Sequence, residues 1–178
     1  MAIEHAILVS LSEKSATGYD LARRFDASIG HFWRATHQQI YKVLARMDEQ
    51  GWVKSEATKR GGRLDKKTYS ITDPGAKELL RWTQSPSSPE VMRSDFAVKL
   101  RGFVDSDSIR EDATTRLESY REMLAFYEES ERKFYPDPAK IKDSARGAYL
   151  ALRGGILLAQ GNIAWCEEVL AELNSERR

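Results

Sequence analysis

The hydrophobic period of this chain changes at residue 51, and this change constrains the fold more than any other feature. Between Thr36 and Gly51 the apolar residues recur at a helical spacing, at positions 40, 43, 44 and 47. Thr36 followed by Gln39 three residues later is a capping-box pattern that begins a helix, and Gly51 is a typical stop. From Trp52 onward the alternation has a period of two, which is typical of strands. The sequence therefore predicts a capped helix followed directly by a hairpin.

The two predicted strands lie in "WVKSEA" and "KKTYSI", joined by roughly seven residues rich in glycine and basic side chains. Val53 on the first strand, with Tyr69 and Ile71 on the second, is expected to face the helices. For Tyr69 the pattern favours core packing over a hydroxyl contact to phosphate. For Tyr41, on the preceding helix, both interpretations stay open.

Further helices are predicted on both sides of this segment. Residues 3–12 have a helical spacing of apolar positions, and a cap at Thr17 begins a second helix. A cap at Thr72 or Asp73 begins another helix after the hairpin. The order helix, helix, helix, strand, strand, helix is the layout of a winged helix-turn-helix, with residues 36–50 in the place of the recognition helix.

A break in the chain follows at "SPSSPE", residues 85–90, whose two prolines and three serines are typical of a linker. The predicted organisation is a winged helix-turn-helix domain over residues 1–84, the linker, and a helical domain over 91–178. The fold class is therefore mainly α with a small β-hairpin. In the second domain a shorter helix at about 90–103 is expected to precede two long ones.

The two long helices carry near-heptad apolar stripes, and "YPDP" between them predicts an antiparallel hairpin. One apolar face on each of two helices does not complete a core, so a second copy of the chain is the expected partner. The residues predicted to mediate this dimerisation are Leu117, Leu124, Leu152, Ile156, Ile163 and Leu170.

Charge is distributed unevenly along the chain, although the net charge is only +1. Residues 1–84 hold 14 Lys and Arg against 10 Asp and Glu, whereas residues 85–178 hold 14 against 17. Residues 34–67 alone hold 9 against 4, a net of +5. A basic first half and an acidic second half indicate a module that faces a polyanion, joined to a module with another role.

Several classes of protein are disfavoured by composition. The longest apolar run, "AILV" at 6–9, is too short to span a bilayer, so no membrane association is expected. The first residues lack the pattern of a signal peptide, and the single cysteine, Cys166, excludes an internal disulfide. A cytoplasmic location is the expectation.

Candidate DNA contacts fall on the capped helix and the hairpin. Gln can pair with an adenine edge, and Lys or Arg with guanine or phosphate, when a helix lies in the major groove. The helix offers Thr36, His37, Gln38, Gln39, Tyr41, Lys42 and Arg46, and the hairpin tip offers Lys59, Arg60, Arg63, Lys66 and Lys67. The plainer alternatives are a solvated helix face and a loop kept soluble by its charge. A nucleotide-binding loop is disfavoured because "KRGGR" lacks the P-loop spacing.

No constellation of catalytic or metal-ligating residues is found. His5, His31 and His37 lack metal-ligand spacing with one another and with Cys166, which lies in an apolar stripe. The chain is therefore predicted to be neither an enzyme nor dependent on a cofactor. Four aromatic residues are candidates for an effector pocket between the two domains, with core packing as the alternative: Phe32, Trp33, Phe96 and Trp165.

The segments "TGYDLARRF", "FWRATHQQIYKVLARMDEQGWV" and "KKTYSITDPGAKEL" resemble the PadR family of bacterial transcriptional regulators. "SDFAVKLRGF" and the long helices that follow are similar to the longer subgroup, which has a virulence-activator-like C-terminal domain. The sequence departs from the commonest pattern at "SATGY", where many members have a proline, and in its long basic hairpin.

The resemblance implies a homodimeric DNA-binding regulator, usually a repressor, on a near-palindromic operator. It implies that Tyr19, Gln38, Gln39, Tyr41 and Lys42 face the DNA, together with the hairpin. Some members respond to phenolic acids or other aromatic or drug-like compounds, so a small aromatic effector is a further expectation. The alternative function is a winged helix that binds proteins rather than specific DNA.

Overall fold

The computed structural model describes residues 2–27, 35–60, 63–89 and 93–175. The chain divides into two compact units, Met1–Pro89 and Glu90–Arg178, here called the N-terminal and the C-terminal unit. Within the described residues, no helix has an apolar stretch long enough to cross a bilayer. Each unit is built around its own buried residues.

The N-terminal unit consists of four helices around a small antiparallel sheet, as far as its residues are described. The elements are α1 (Ala2–Glu13), β1 (Ala16–Thr17), α2 (Gly18–Ala27), α3 (His37–Glu49), β2 (Val53–Arg60), β3 (Arg63–Ile71) and α4 (Asp73–Thr83). The strand order is β1-β3-β2, with Val53 opposite Ile71 and Ala16 opposite Tyr69. This is a winged helix, and the β2–β3 hairpin, residues 53–71, is its wing.

The N-terminal caps predicted from the sequence are present in the structure. Thr36 and Gln39 form the predicted capping box at the start of α3, and the predicted inward residues of that helix are buried. The Thr17 hydroxyl accepts from the Asp20 amide at 3.1 Å and donates to the Asp20 carboxylate at 2.7 Å. Of the two candidates at α4, Thr72 is the N-cap, and its side chain accepts from the amide of Gly75.

Two features of the sheet differ from the prediction. The strand β1 was not anticipated, because two residues are too few to show a period. The wing strands are also longer than predicted, since backbone pairing continues past Thr58 and Lys66 to Arg60 and Arg63. The alternation fades there because residues 58–66 contain a single apolar side chain, whereas backbone hydrogen bonds need no hydrophobic pattern.

The core of the N-terminal unit lies between its helices and its sheet. Tyr69 is 5% exposed and Val53 1% exposed, so both face the helices as predicted. The remaining buried apolar residues come from the first three helices and from β1: Ile7, Leu8, Leu11, Ala16, Leu21, Ala22, Phe25, Ile40, Val43, Leu44 and Met47. Helix α3 and the wing therefore pack on the same core.

The C-terminal unit contains α5 (Asp95–Gly102), α6 (Ser106–Phe134), a 3-10 turn (Pro138–Lys140) and α7 (Asp143–Ser175). Helix α5 begins at a Ser94 cap, later than the predicted residue 90. The beginning of α6 packs on the end of α7 through Ile109 and Leu173, and Tyr127 packs on Ile156, so the long helices are antiparallel. Cys166 is fully buried, as expected for a core residue.

Candidate nucleic-acid interface

The exposed face of α3 is the centre of the candidate interface. His37, Gln38, Tyr41 and Lys42 are exposed, while the opposite face of the helix is buried in the core. Residues spaced by three and four positions are neighbours on the surface of a helix, as Gln38 is to Tyr41 and Lys42. The first two turns of α3 therefore present an amide, an ammonium group and a phenol on the same surface.

Tyr41 also contacts the beginning of α2. Its ring lies against Gly18, where a Cβ atom would approach within 2.9 Å of Cδ1. The adjacent Tyr19 is 57% exposed and Tyr41 is 46% exposed. Two phenol side chains therefore lie near the start of α2, where backbone amides favour anions.

Thr36 and Gln39 have a structural role at the start of α3. The Gln39 amide donates to the Thr36 hydroxyl at 3.2 Å, and the Thr36 amide donates to the Gln39 side-chain oxygen at 2.9 Å. Both side chains are therefore engaged in capping. Their predicted contact with DNA stays a prediction.

Arg46 is engaged by an acidic residue of another helix. Its guanidinium group forms an ion pair with Glu4 of α1, although half of the Arg46 side chain is exposed. A phosphate group would have to compete with Glu4 for this guanidinium. By contrast, Lys42 lies one turn earlier on the same helix and is exposed.

Asp48, in the last turn of α3, connects this helix to both strands of the wing. Its Oδ2 accepts from the Ser55 hydroxyl at 2.6 Å and from Lys67 Nζ at 3.2 Å. The pKa of Asp48 lies below its ordinary value because the Ser55 hydroxyl and the Lys67 ammonium group donate to the carboxylate, which outweighs partial burial. Lys67 Nζ also lies 5.3 Å from the centre of the Tyr69 ring.

Four of the five side chains of the predicted wing tip lie outside the described residues. This applies to Lys59, Arg60, Arg63 and Lys66. The structure gives backbone pairing for Arg60, Arg63 and Lys66, and an irregularity of the strand pairing between Thr58 and Arg60. The sequence remains the basis for their predicted role. The fifth predicted tip residue, Lys67, lies below the tip opposite Ala57, where the Asp48 carboxylate binds its ammonium group.

A cluster around the buried His5 joins α1 to α4. His5 is 2% exposed, its Nε2 lies 3.0 Å from Glu78 Oε1, and its ring stacks on Trp82 at 4.6 Å. Arg81 donates twice to Glu78, at 2.7 Å each. Hydrogen bonds from Arg81 and His5 lower the pKa of Glu78 to about 2. Sequence reasoning missed this cluster, because His5 and Glu78 are 73 residues apart and follow no motif.

Two of the four predicted effector residues lie outside the described residues, namely Phe32 and Trp33. The other two touch each other in the C-terminal unit, where Phe96 is fully buried and its ring meets Trp165 edge to face at 5.3 Å. The Arg116 guanidinium lies 4.7 Å from the centre of the Phe96 ring. A separate cavity of about 360 Å³ lies where α6 leads into α7, bordered by Phe134, Tyr135 and Ile141.

The predicted dimerisation residues pack within one chain. Leu117 and Ile156 are buried, and Leu124, Leu152 and Leu170 pack on the clusters that join α6 to α7. Ile163 is half-buried. Their contribution to a dimer stays a prediction, because the hairpin itself already covers much of these stripes.

Helix α7 has a second apolar face on the side away from α6. Leu150, Leu157 and Leu158 are 61%, 59% and 66% exposed. From Gly154 to Cys166 the helix contains no charged residue. A helix face in water is normally polar, so this face has the composition of a buried surface.

The exposed α3 face, a wing attached to its end and a separate helical hairpin define a winged-helix protein of the regulator type. The family model "Transcriptional regulator PadR-like family" matches residues 7–81, and "Virulence activator alpha C-term" matches residues 92–174. Similarity extends over the whole chain in a relative from Mycobacterium tuberculosis. The probable transcriptional regulator Rv1176c is 41% identical over 99% of this chain and 100% of that protein. The chain belongs to the PadR family of transcriptional regulators.

Solved structures are also similar over nearly the full length. The Vibrio cholerae virulence activator AphA is 39% identical, with a TM-score of 0.78 over 98% of this chain and 99% of that chain. Bacillus subtilis PadR in complex with operator DNA is 27% identical, with a TM-score of 0.84 over 97% and 99%. The same protein in complex with p-coumaric acid is 26% identical, with a TM-score of 0.77 over 98% and 99%.

Proposed function

We propose that this chain is a homodimeric transcriptional regulator that binds a near-palindromic operator through α3 and the wing. The observation that carries the proposal is the exposed face of α3, where Gln38, Tyr41 and Lys42 lie side by side on a segment with a net charge of +5 over residues 34–67. The complex of Bacillus subtilis PadR with operator DNA supports it, given the similarity of that structure to this one.

In this proposal α3 lies in the major groove with its first turns against the base edges. The Gln38 amide is suited to the N6 and N7 edge of adenine, and the Lys42 ammonium group to guanine or phosphate. The hydroxyls of Tyr19 and Tyr41 bind the backbone phosphates on either side. The basic wing tip follows the backbone or enters the minor groove, where the potential is most negative.

Dimerisation is proposed through the outward face of α7, together with the stripes predicted from sequence. This face is nearly symmetric about Gly154, since Gly147 and Gly161 are seven residues away on either side. Leu150 and Leu158 lie four residues before and after the same centre. A two-fold contact brings one patch onto its own copy, so a self-complementary stripe fits an antiparallel pair of α7 helices. The glycines would allow the helices to approach closely, because, apart from the adjacent residues and the nearby backbone of α7 itself, no described atom lies within 4 Å of a Cβ position at any of them.

Charge at the two ends of α7 favours the same antiparallel pairing. The helix begins near Lys142, Asp143 and Arg146, with a net charge of +1, and ends near Glu167, Glu168 and Glu172, of which Glu167 pairs with Arg121 within one chain. Antiparallel packing brings the basic end of one copy to the acidic end of the other. Parallel packing would place like charges together.

The proposed output is repression that a small aromatic or drug-like effector relieves. A dimer on an operator that overlaps a promoter excludes the polymerase, which is the simplest physical mode of regulation. The Bacillus subtilis relative is named "Negative transcriptional regulator PadR", and its complex with p-coumaric acid supports an aromatic effector. The name of AphA, a virulence activator, supports activation as the alternative output.

A gel-shift assay and a footprint on the DNA upstream of its own gene test the proposal. We expect a specific shift and two protected half-sites about one helical turn, roughly 34 Å, apart. Titration with p-coumaric acid and other small aromatic acids tests the effector, which should lower operator occupancy. A protein-interaction module would give no specific shift in this assay.

A further inference from the structure

The position of Asp48 is electrostatically unfavourable for a DNA-binding helix. It lies in the last turn of α3, where the helix dipole favours cations and disfavours anions. It also places a carboxylate in the most basic segment of the chain, where it repels phosphate. A role that offsets these two costs is therefore expected.

The hydrogen bonds of Asp48 indicate that role. A single carboxylate oxygen accepts from Ser55 on β2 and from Lys67 on β3, so it bonds both strands of the wing at once. The anchor lies below the predicted wing tip, because Ser55 is opposite Tyr69 and Lys67 is opposite Ala57 in the strand pairing. Lys67 is oriented further by the Tyr69 ring, which belongs to the core.

We propose that Asp48 is a positioning residue that fixes the wing to the recognition helix, so that both engage the DNA duplex as one rigid element. The inference rests on the proposed DNA-binding function. Without the anchor, the hairpin pivots about its base, and ordering the wing tip against a phosphate costs free energy at each binding event. With the anchor, the position of the wing relative to the recognition helix is set before the protein binds DNA.

This role predicts that removal of Asp48 lowers the affinity for DNA, whereas charge alone predicts that it raises the affinity. If Asp48 were only an acidic surface residue, its removal would strengthen DNA binding, because one phosphate-repelling charge disappears. If it positions the wing, Asp48→Ala weakens binding, by roughly tenfold for loss of hydrogen bonds to a charged group. Glu49→Gln is the control for the loss of one negative charge, since the adjacent Glu49 is exposed on the same helix turn. The control should leave affinity unchanged or raise it.

A double-mutant cycle shows whether Asp48 acts through the wing. The logarithm of the binding constant falls linearly with the logarithm of the salt concentration. We expect Asp48→Ala to reduce the steepness of this slope by about one or more, as removal of the wing cations would. In a variant that already carries Arg60→Ala and Arg63→Ala, Asp48→Ala should have a clearly smaller further effect, because both arginines that it positions at the tip are gone and only Lys59 and Lys66 remain. Full additivity, or a gain in affinity equal to that of Glu49→Gln, would overturn the proposal.

A measurement without DNA separates this inference from the proposed function. Hydrogen exchange of the full chain should be faster in β2 and β3 in Asp48→Ala than in Glu49→Gln, with the other elements of the N-terminal unit unchanged. Unaltered exchange in the wing would refute the anchor even if the protein binds DNA. Faster exchange in a protein that binds no DNA would support the anchor while refuting the proposed function.

Discussion

The ring of Tyr41 on α3 lies directly over Gly18 at the start of α2, and this contact leaves no space for a side chain at position 18. A Cβ atom there would approach within 2.9 Å of both Cδ1 and Cζ of the Tyr41 ring. The two helices of the helix-turn-helix therefore meet through a glycine on one side and an exposed phenol on the other.

Gly18→Ala is predicted to displace the Tyr41 ring and to weaken DNA binding more than it weakens the fold. Because Tyr41 is 46% exposed, its ring can move into solvent, and we expect a decrease in unfolding free energy of less than about 1 kcal/mol. DNA affinity measured by fluorescence anisotropy should fall severalfold. In a Tyr41→Ala background the same substitution should have no effect on affinity. An equal decrease in both backgrounds would show that the Gly18–Tyr41 contact is irrelevant to binding.

Gly75→Ala is predicted to destabilise the N-terminal unit strongly. A Cβ at this buried helical position would collide with the backbone carbonyl of Trp52, at the base of the wing, and backbone cannot move as a side chain can. Helix propensity alone predicts a gain of about 1 kcal/mol, whereas the collision predicts a loss of roughly 2–3 kcal/mol. Urea unfolding shows whether Gly75→Ala raises or lowers the unfolding free energy. Ala76→Gly on the next, exposed position gives the propensity effect by itself.

The stability of the N-terminal unit is predicted to depend on Glu78 in acid. Its pKa is lowered from the ordinary value of 4.5 to about 2 by Arg81 and His5. A carboxyl group whose pKa is depressed by folding stabilises the fold above pH 4.5, and this contribution disappears as the pH falls towards 2. The difference in unfolding free energy between wild type and Glu78→Gln should therefore shrink over that interval. A difference independent of pH would contradict the ion-pair account.

Charges on the outward face of α7 are predicted to break the dimer without unfolding the chain. Leu157→Lys together with Leu158→Glu should give a monomer at micromolar concentration by light scattering, because the introduced charges would be buried in the dimer interface. Helix content should stay unchanged, since both side chains are already exposed in one chain. Gln160→Lys, exposed on the same helix, is the control. A wild-type monomer would refute dimerisation at this face.

The sequence predicted the elements whose signals are local. The capping box at Thr36, the buried stripe of α3 and the inward residues of the wing all follow from spacing and from side chains a few positions apart. These features need no tertiary information, because each is determined within one or two turns of chain.

Features that depend on tertiary contacts were not predictable in the same way. Nothing near Arg46 in the sequence indicates its pairing with Glu4, and nothing near Asp48 indicates its bond to Lys67, 19 residues away. The outward face of α7 was also overlooked, because the regular stripe facing α6 gave the stronger periodic signal. On a helix with apolar residues on both sides, period alone does not say which side meets the second helix of the hairpin.

The basic surface of α3 and the wing is proposed to neutralise DNA phosphates, and the salt dependence of binding tests this central claim most directly. Affinity for the DNA upstream of its own gene should fall steeply between 50 and 200 mM salt, by roughly 10³-fold if each dimer neutralises about six phosphates. Arg60→Ala with Arg63→Ala should flatten that slope by about one for each phosphate that is no longer neutralised, and should leave the melting temperature nearly unchanged. Binding that is indifferent to salt, or no specific binding at any salt concentration, would contradict the account.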